Sequence, residues 1–223
     1  MCSSKLVLDA HTKERYQRLI TSLLLLVGVL AGGLALSPLL HKPATKAPSV
    51  TEQQPPTATP PTPEAIARYN VAPGLPKYIS VPSINVAQAR IIGLSTTKNN
   101  KIIAPSNLHD AGWYESSAKP DQDGALFIYG HVSSKQARGL FYNLHKLALG
   151  DIITITRGDD TTFVYKVIDR ATYGADSVPM DKVLTPANPS QRGLSLMTCA
   201  GELNKQTNEF SERLVIYASQ VTN

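Results

Sequence analysis

A mostly β domain is predicted for residues 75 to 223. Three observations predict it. Short β-branched runs recur, punctuated by Gly, Pro, Asn and Asp. Most of them alternate apolar and polar residues or stay apolar for a few positions, as strands do. No long stretch keeps a helical period. In chain order the runs are "KYISV" (77–81), "NVAQARIIG" (85–93), "GALFIYGH" (124–131), "GDIITITRG" (150–158), "TTFVYKVIDRATYG" (161–174), "LSLMTC" (194–199) and "RLVIYASQ" (213–220), which suggests seven or eight strands. "RGDDTTF" (157–163) is the expected loop of a hairpin. "ARGLFYNLHKL" (137–147) is expected to form a short helix and "PMDKVL" (179–184) a helical turn. Residues 174 to 193, with Pro179, Pro186 and Pro189, make a long connection between strands, and long connections in compact domains often carry function.

Three segments precede this domain. Residues 1–18 are basic and are assigned to the cytoplasm. Residues 19–40, "LITSLLLLVGVLAGGLALSPLL", carry no charge and as a helix would span roughly 33 Å, enough to cross a bilayer. Lys5, Lys13, Arg15 and Arg18 precede the run, so the positive-inside rule places everything after residue 40 outside. A cleaved signal peptide is the competing reading, but the run exceeds an h-region of about 7 to 15 residues. Residues 41–74, rich in Pro and Thr, cannot bury enough apolar surface to offset their ordering entropy and are expected to act as a stalk. The net charge of +5 is spread along the chain, and no segment is basic enough to suggest nucleic acid.

The chain has two cysteines. On this topology Cys2 lies inside and Cys199 outside, so they cannot pair, and an unpaired thiol in an exported domain invites oxidation unless it is buried or employed. Cys199 ends an apolar run and is expected at a strand terminus entering a loop. His131 also ends an apolar run, after Gly130. An imidazole beside a thiol can take its proton or stabilise the thiolate. Arg213 opens the last run, fourteen residues after Cys199. If the two strands are antiparallel neighbours, its guanidinium comes near the thiol, where it can favour thiolate or bind an oxyanion. His109 and His145 have no comparable placement.

In the order His, Cys, Arg, this set resembles that of the sortases, cysteine transpeptidases of bacterial cell surfaces. "LMTCAG" (196–201) is similar to the family's TLxTC signature, with Ser195 where Thr is usual. "GALFIYGHVS" (124–133) resembles its histidine strand, "ERLVIYA" (212–218) its arginine strand, and "GWYESSAKPDQDG" (112–124) the segment before the histidine. The resemblance implies an eight-stranded β-barrel, with Cys199 as nucleophile, His131 as acid/base, Arg213 as substrate or oxyanion ligand and Thr198 helping to shape the substrate site. It also implies cleavage of a surface protein's LPxTG-like sorting signal and transfer to an amine from a peptidoglycan precursor or a pilin lysine. No cofactor is required. Some sortases bind calcium through loop acids, and Asp121, Asp123, Asp176 and Asp181 are candidates by position only; no metal is expected. Other cell-wall cysteine enzymes place Cys before His or hold both in one short stretch. The non-enzymatic alternative is a membrane-tethered β-barrel that binds peptides.

Overall fold

The computed structural model describes residues 49–51, 55–97 and 101–221. Its elements, in order, are β1 (Ser49–Thr51), α1 (Pro63–Ala67), β2 (Pro76–Val81), β3 (Val86–Leu94), β4 (Lys101–Ile103), β5 (Ala111–Tyr114), β6 (Ala125–Gly130), β7 (Ile152–Arg157), β8 (Thr162–Gly174), α2 (Met180–Val183), β9 (Gly193–Asn204) and β10 (Glu209–Gln220). Eight strands close a barrel in the order β10-β8-β7-β2-β3-β5-β6-β9, the number implied by the resemblance. The pairs β3–β5 and β6–β9 are parallel and the other barrel neighbours antiparallel. The uncharged run 19–40 lies outside the described residues, and among those described no helix is long and apolar enough to cross a membrane.

Period-two alternation sorts the strand residues into two apolar clusters. Ile79, Ile91, Trp113, Ile128, Ile155, Leu196 and Ile216 fill the barrel, whose eight strands leave just enough room for side chains. A second cluster covers the outside of β6, β9 and β10: Phe127, Tyr129, Met197, Cys199, Val215 and Tyr217, with Met180 and Val183 of α2 packed on it. Burial on both faces explains why these three strands read as continuous apolar runs, β6 being buried from end to end. The Ser195 hydroxyl donates to the Val183 carbonyl at 2.7 Å and fastens α2 to this face.

Three local expectations differ from the structure. Residues 137–147 form only a 3-10 turn at Leu144–Lys146. The amides of Gly139 and Phe141 donate instead to the carbonyls of Val132 and His131, drawing the segment onto the end of β6. β5 is a strand that periodicity did not single out, because all four of its residues are buried and none alternates. β9 runs on past Cys199 to Asn204. Part of the Pro/Thr-rich segment is also bound to the barrel. The amide of Ala65 donates to the Thr62 hydroxyl, which caps α1; the Tyr69 hydroxyl donates to the Ile91 carbonyl of β3; and Thr57 bridges Asn107.

Candidate active site

Cys199 stands where burial stops rather than where the strand stops. Gly193 to Cys199 are buried and Gly201 to Asn204 exposed, so the β9–β10 hairpin projects beyond the barrel rim. The change occurs at a bulge. Gly201 has φ +76°, and Gly201 and Glu202 face Ser211 alone between the pairs Ala200/Glu212 and Leu203/Phe210. A left-handed glycine opening a two-against-one step is the G1 arrangement, which sharpens strand twist.

The register of this hairpin places Arg213 directly opposite Cys199. Side chains so paired share a face, with Cβ atoms about 4.5–5.5 Å apart. The guanidinium is anchored on its own strand: Nη1 donates to the carbonyls of Phe210 at 3.0 Å and Glu212 at 2.8 Å. Those bonds hold the guanidinium against its own strand.

His131 arrives from the other side of β9. The last registered pair of the parallel ladder is Tyr129 with Met197, and two residues further along each chain stand His131 and Cys199. His131 is 1% exposed and Cys199 6%. His131 Nε2 lies 2.8 Å from the Pro105 carbonyl. A carbonyl only accepts, so Nε2 carries the hydrogen and Nδ1 is the nitrogen that gains or loses a proton. Thr198, whose side chain alternates to the opposite face from Cys199, donates from Oγ1 to the Gly130 carbonyl at 2.7 Å. What Thr198 touches is therefore the peptide that leads into His131.

The Tyr129 hydroxyl lies 3.2 Å from Cys199 Sγ, and its ring meets the His131 ring edge-on with centroids 5.8 Å apart. Further along the same face, the hydroxyls of Tyr217 and Tyr173 are 3.0 Å apart. Burial, and after it this hydrogen bond, pushes the Tyr217 phenol well above the usual tyrosine range. A shallow groove of about 400 Å³, lined by Gly174, Asp176, Glu209 and Phe210 among others, runs beside the Arg213 anchor.

Cys199, His131, Arg213 and Thr198 thus gather at one rim of the barrel. The loop acids Asp121 and Asp123 do not join them. Asp121 pairs with Arg192 at 2.8 Å and Asp123 lies 3.5 Å from it. Arg192 immediately precedes β9, whose seven residues from Gly193 to Cys199 cover about 20 Å. Asp176 lines the groove just described, and Asp181 offers its backbone carbonyl to the Thr185 hydroxyl. Tyr129 and Pro105 were not singled out from the sequence. Tyr129 was legible in one respect: it lies two residues before His131, and in a strand that spacing means the same face. Pro105 offered no such signal, since only the fold brings its carbonyl to the imidazole.

A closed eight-stranded barrel with cysteine, histidine and arginine assembled at one rim defines a class within which the comparisons fall. The sortase-domain family model matches residues 79–221, and the chain belongs to the sortase family. Its solved relatives include sortase A from Corynebacterium diphtheriae, a lid mutant, at 27% identity and TM-score 0.50, covering 68% of this chain and 72% of that one. Sortase C-1 from Actinomyces oris shares the fold at 21% identity and TM-score 0.52, covering 80% and 90% of the two chains. No curated protein sequence matches the chain.

Proposed function

We propose that this sortase is a membrane-anchored cysteine transpeptidase in which Cys199 is the nucleophile, His131 the acid/base and Arg213 the oxyanion ligand. The observation that carries the reading is the convergence on β9: Arg213 is registered opposite Cys199 on one side and His131 stands level with it on the other. The thiolate attacks the peptide carbonyl carbon, and the charge that develops on oxygen is met by the guanidinium. His131, protonated at Nδ1, gives its proton to the leaving amine as the C–N bond breaks, and a thioester remains. An incoming amine then attacks that thioester while Nδ1 takes up its proton. Close covering of the thiol supports transfer over hydrolysis, because water must be kept from the thioester. Thr198 contributes by holding the Gly130 peptide and through it His131.

The substrate class is a surface protein with an LPxTG-like sorting signal cut between Thr and Gly, and the acceptor an amine of a peptidoglycan precursor or a pilin lysine. The uncharged run 19–40 is the single-pass anchor, with the N-terminus inside and the barrel outside the cell, and residues 41–74 are the spacer between them. The test uses the full chain in detergent micelles with a panel of LPxTG-like peptides and a glycine or diamine acceptor. An intact-mass shift on Cys199, absent from Cys199→Ala, together with product carrying the amine, is the expected result. A folded chain that binds a peptide yet forms neither adduct nor product would overturn the enzyme reading in favour of a binding module.

A further inference from the structure

We propose that Tyr129 is a further catalytic residue, its phenol donating a hydrogen bond to Sγ of Cys199 and holding the nucleophile as a thiolate at the rim. The proposal rests on the transpeptidase reading and adds a fourth group to its site. Oη and Sγ are 3.2 Å apart, and Tyr129 is 1% exposed. The strand period puts its side chain on the face shared by His131, and the ladder sets it beside Met197, two residues before Cys199. A phenol buried this deeply keeps its polar tip hydrogen-bonded, and Sγ lies within its reach; either atom can donate while the sulfur is a thiol, and only the phenol can once it is a thiolate.

The choice of partner has a chemical consequence. A neutral thiol is a weak acceptor, whereas a hydrogen bond to an ionised acceptor is about twice as strong. The bond therefore favours the charged form over the neutral one and draws the thiol toward ionisation. The proton leaving Sγ passes to Nδ1 of His131, the phenol keeps its own, and nothing is oxidised or reduced. The titratable and charged groups around the thiol are Tyr129 and His131 on the β6 side, Arg213 and Tyr217 on β10, Tyr173 and Asp169 on β8, Tyr114 on β5 and Lys182 on α2, the last with its ammonium 4.9 Å from the Tyr217 ring. Of these, Tyr129 brings a neutral hydroxyl within hydrogen-bond reach of Sγ.

The test is the pH dependence of Cys199 alkylation by iodoacetamide on the full chain in micelles, followed by peptide mass so that Cys2 is scored separately. Tyr129→Phe keeps the ring in an apolar cluster that already holds Phe127. Its alkylation midpoint is expected to rise by about one to two pH units, and thioacyl formation near neutral pH to slow about 10- to 100-fold. Phe127→Leu, which disturbs the same face without touching the hydroxyl, is expected to leave the midpoint in place. A midpoint unmoved in Tyr129→Phe, or moved equally in Phe127→Leu, overturns the proposal. Should Tyr129→Phe fail to fold, 3-fluorotyrosine at position 129, a stronger donor, is expected to lower the midpoint, and no change or a rise overturns the proposal. Alkylation needs no sorting peptide. A wild-type chain inert to every peptide would therefore count against the transpeptidase reading, while the midpoints still decide the role of Tyr129.

Discussion

Gly139→Ala is expected to impair catalysis well beyond its effect on stability. A Cβ at Gly139 would lie 2.3 Å from the His131 carbonyl oxygen, 2.7 Å from its carbonyl carbon and 2.9 Å from its Cβ. Ordinary contact begins near 3.4 Å, so the two segments must part by about 1 Å. Nothing flexible can yield. The crowded atoms are backbone, and the same carbonyl already accepts from the Phe141 amide at 2.9 Å while the Gly139 amide donates to Val132 at 2.9 Å. Overpacking of this kind costs about 1–3 kcal/mol, which for a domain of this size lowers Tm by about 2–12 °C. The methyl presses on the residue that holds the imidazole, however, and a displacement of about 1 Å in a reacting group can cost about 100-fold. The assay pairs thermal melting with single-turnover thioacyl formation. Gly74→Ala is the matched control, since its methyl meets nothing within 4 Å. A folded Gly139→Ala chain reacting within about threefold of wild type, or a Gly74→Ala chain losing as much, would refute the reasoning.

Four further outcomes are expected. Thr198→Val leaves the buried Gly130 carbonyl without the Oγ1 donor and should cost about 1–3 kcal/mol; Thr198→Ser should recover most of that in a melt and in the rate, and a loss in Thr198→Ser with none in Thr198→Val would assign the effect to the methyl instead. Arg213→Lys should slow thioacyl formation by about 100-fold or more, because an ammonium cannot span the Phe210 and Glu212 carbonyls and still present a planar fork; near-normal turnover would make Arg213 structural. Cys199→Ala should melt within a few degrees of wild type, because removing one sulfur atom leaves only a small cavity, yet form no adduct. Burial pushes the Tyr165 phenol up to about 12. The unfolded chain releases that proton from about pH 10, so above this the folded state binds more protons and stability falls as pH rises toward about 12, by at most about 1.4 kcal/mol per unit from this group. Tyr165→Phe should flatten the decline of Tm over that window, and an unchanged decline would place its origin elsewhere.

What the sequence made legible was whatever local chemistry decides. The strands β7 and β8 alternate between barrel and solvent, so their period and the Gly-Asp-Asp turn between them announce a hairpin. The candidate histidine follows β6 directly and the candidate nucleophile lies on β9, and each was legible because an apolar run ends there. β5 did not announce itself, since a short strand buried on both faces has no period to display. Residues 137–147 carry a helix-like pattern that the fold overrides, because the end of β6 offers carbonyls at Val132 and His131 that compete for their amides. The Arg213 position depended on a condition about pairing that only register could meet. Tyr129 was hidden in plain view: in a run of apolar letters a tyrosine reads as bulk, and its hydroxyl acquires meaning only when the parallel ladder sets it against Cys199.

The parallel ladder of β6 with β9 also has a temporal side. Ala125 must find Gly193, a search across most of the intervening domain, and contacts so distant in sequence form late because loop closure precedes any gain from them. The hairpin that closes the barrel is the same one that brings Cys199 and Arg213 to His131. On the proposed reading, the chain before closure has a cysteine with no acid, no base and no cover, and afterwards it has all of them at once. Acyl transfer at this thiol would then report that the barrel has shut, and a chain still unfinished or misfolded would hold no such chemistry to misapply.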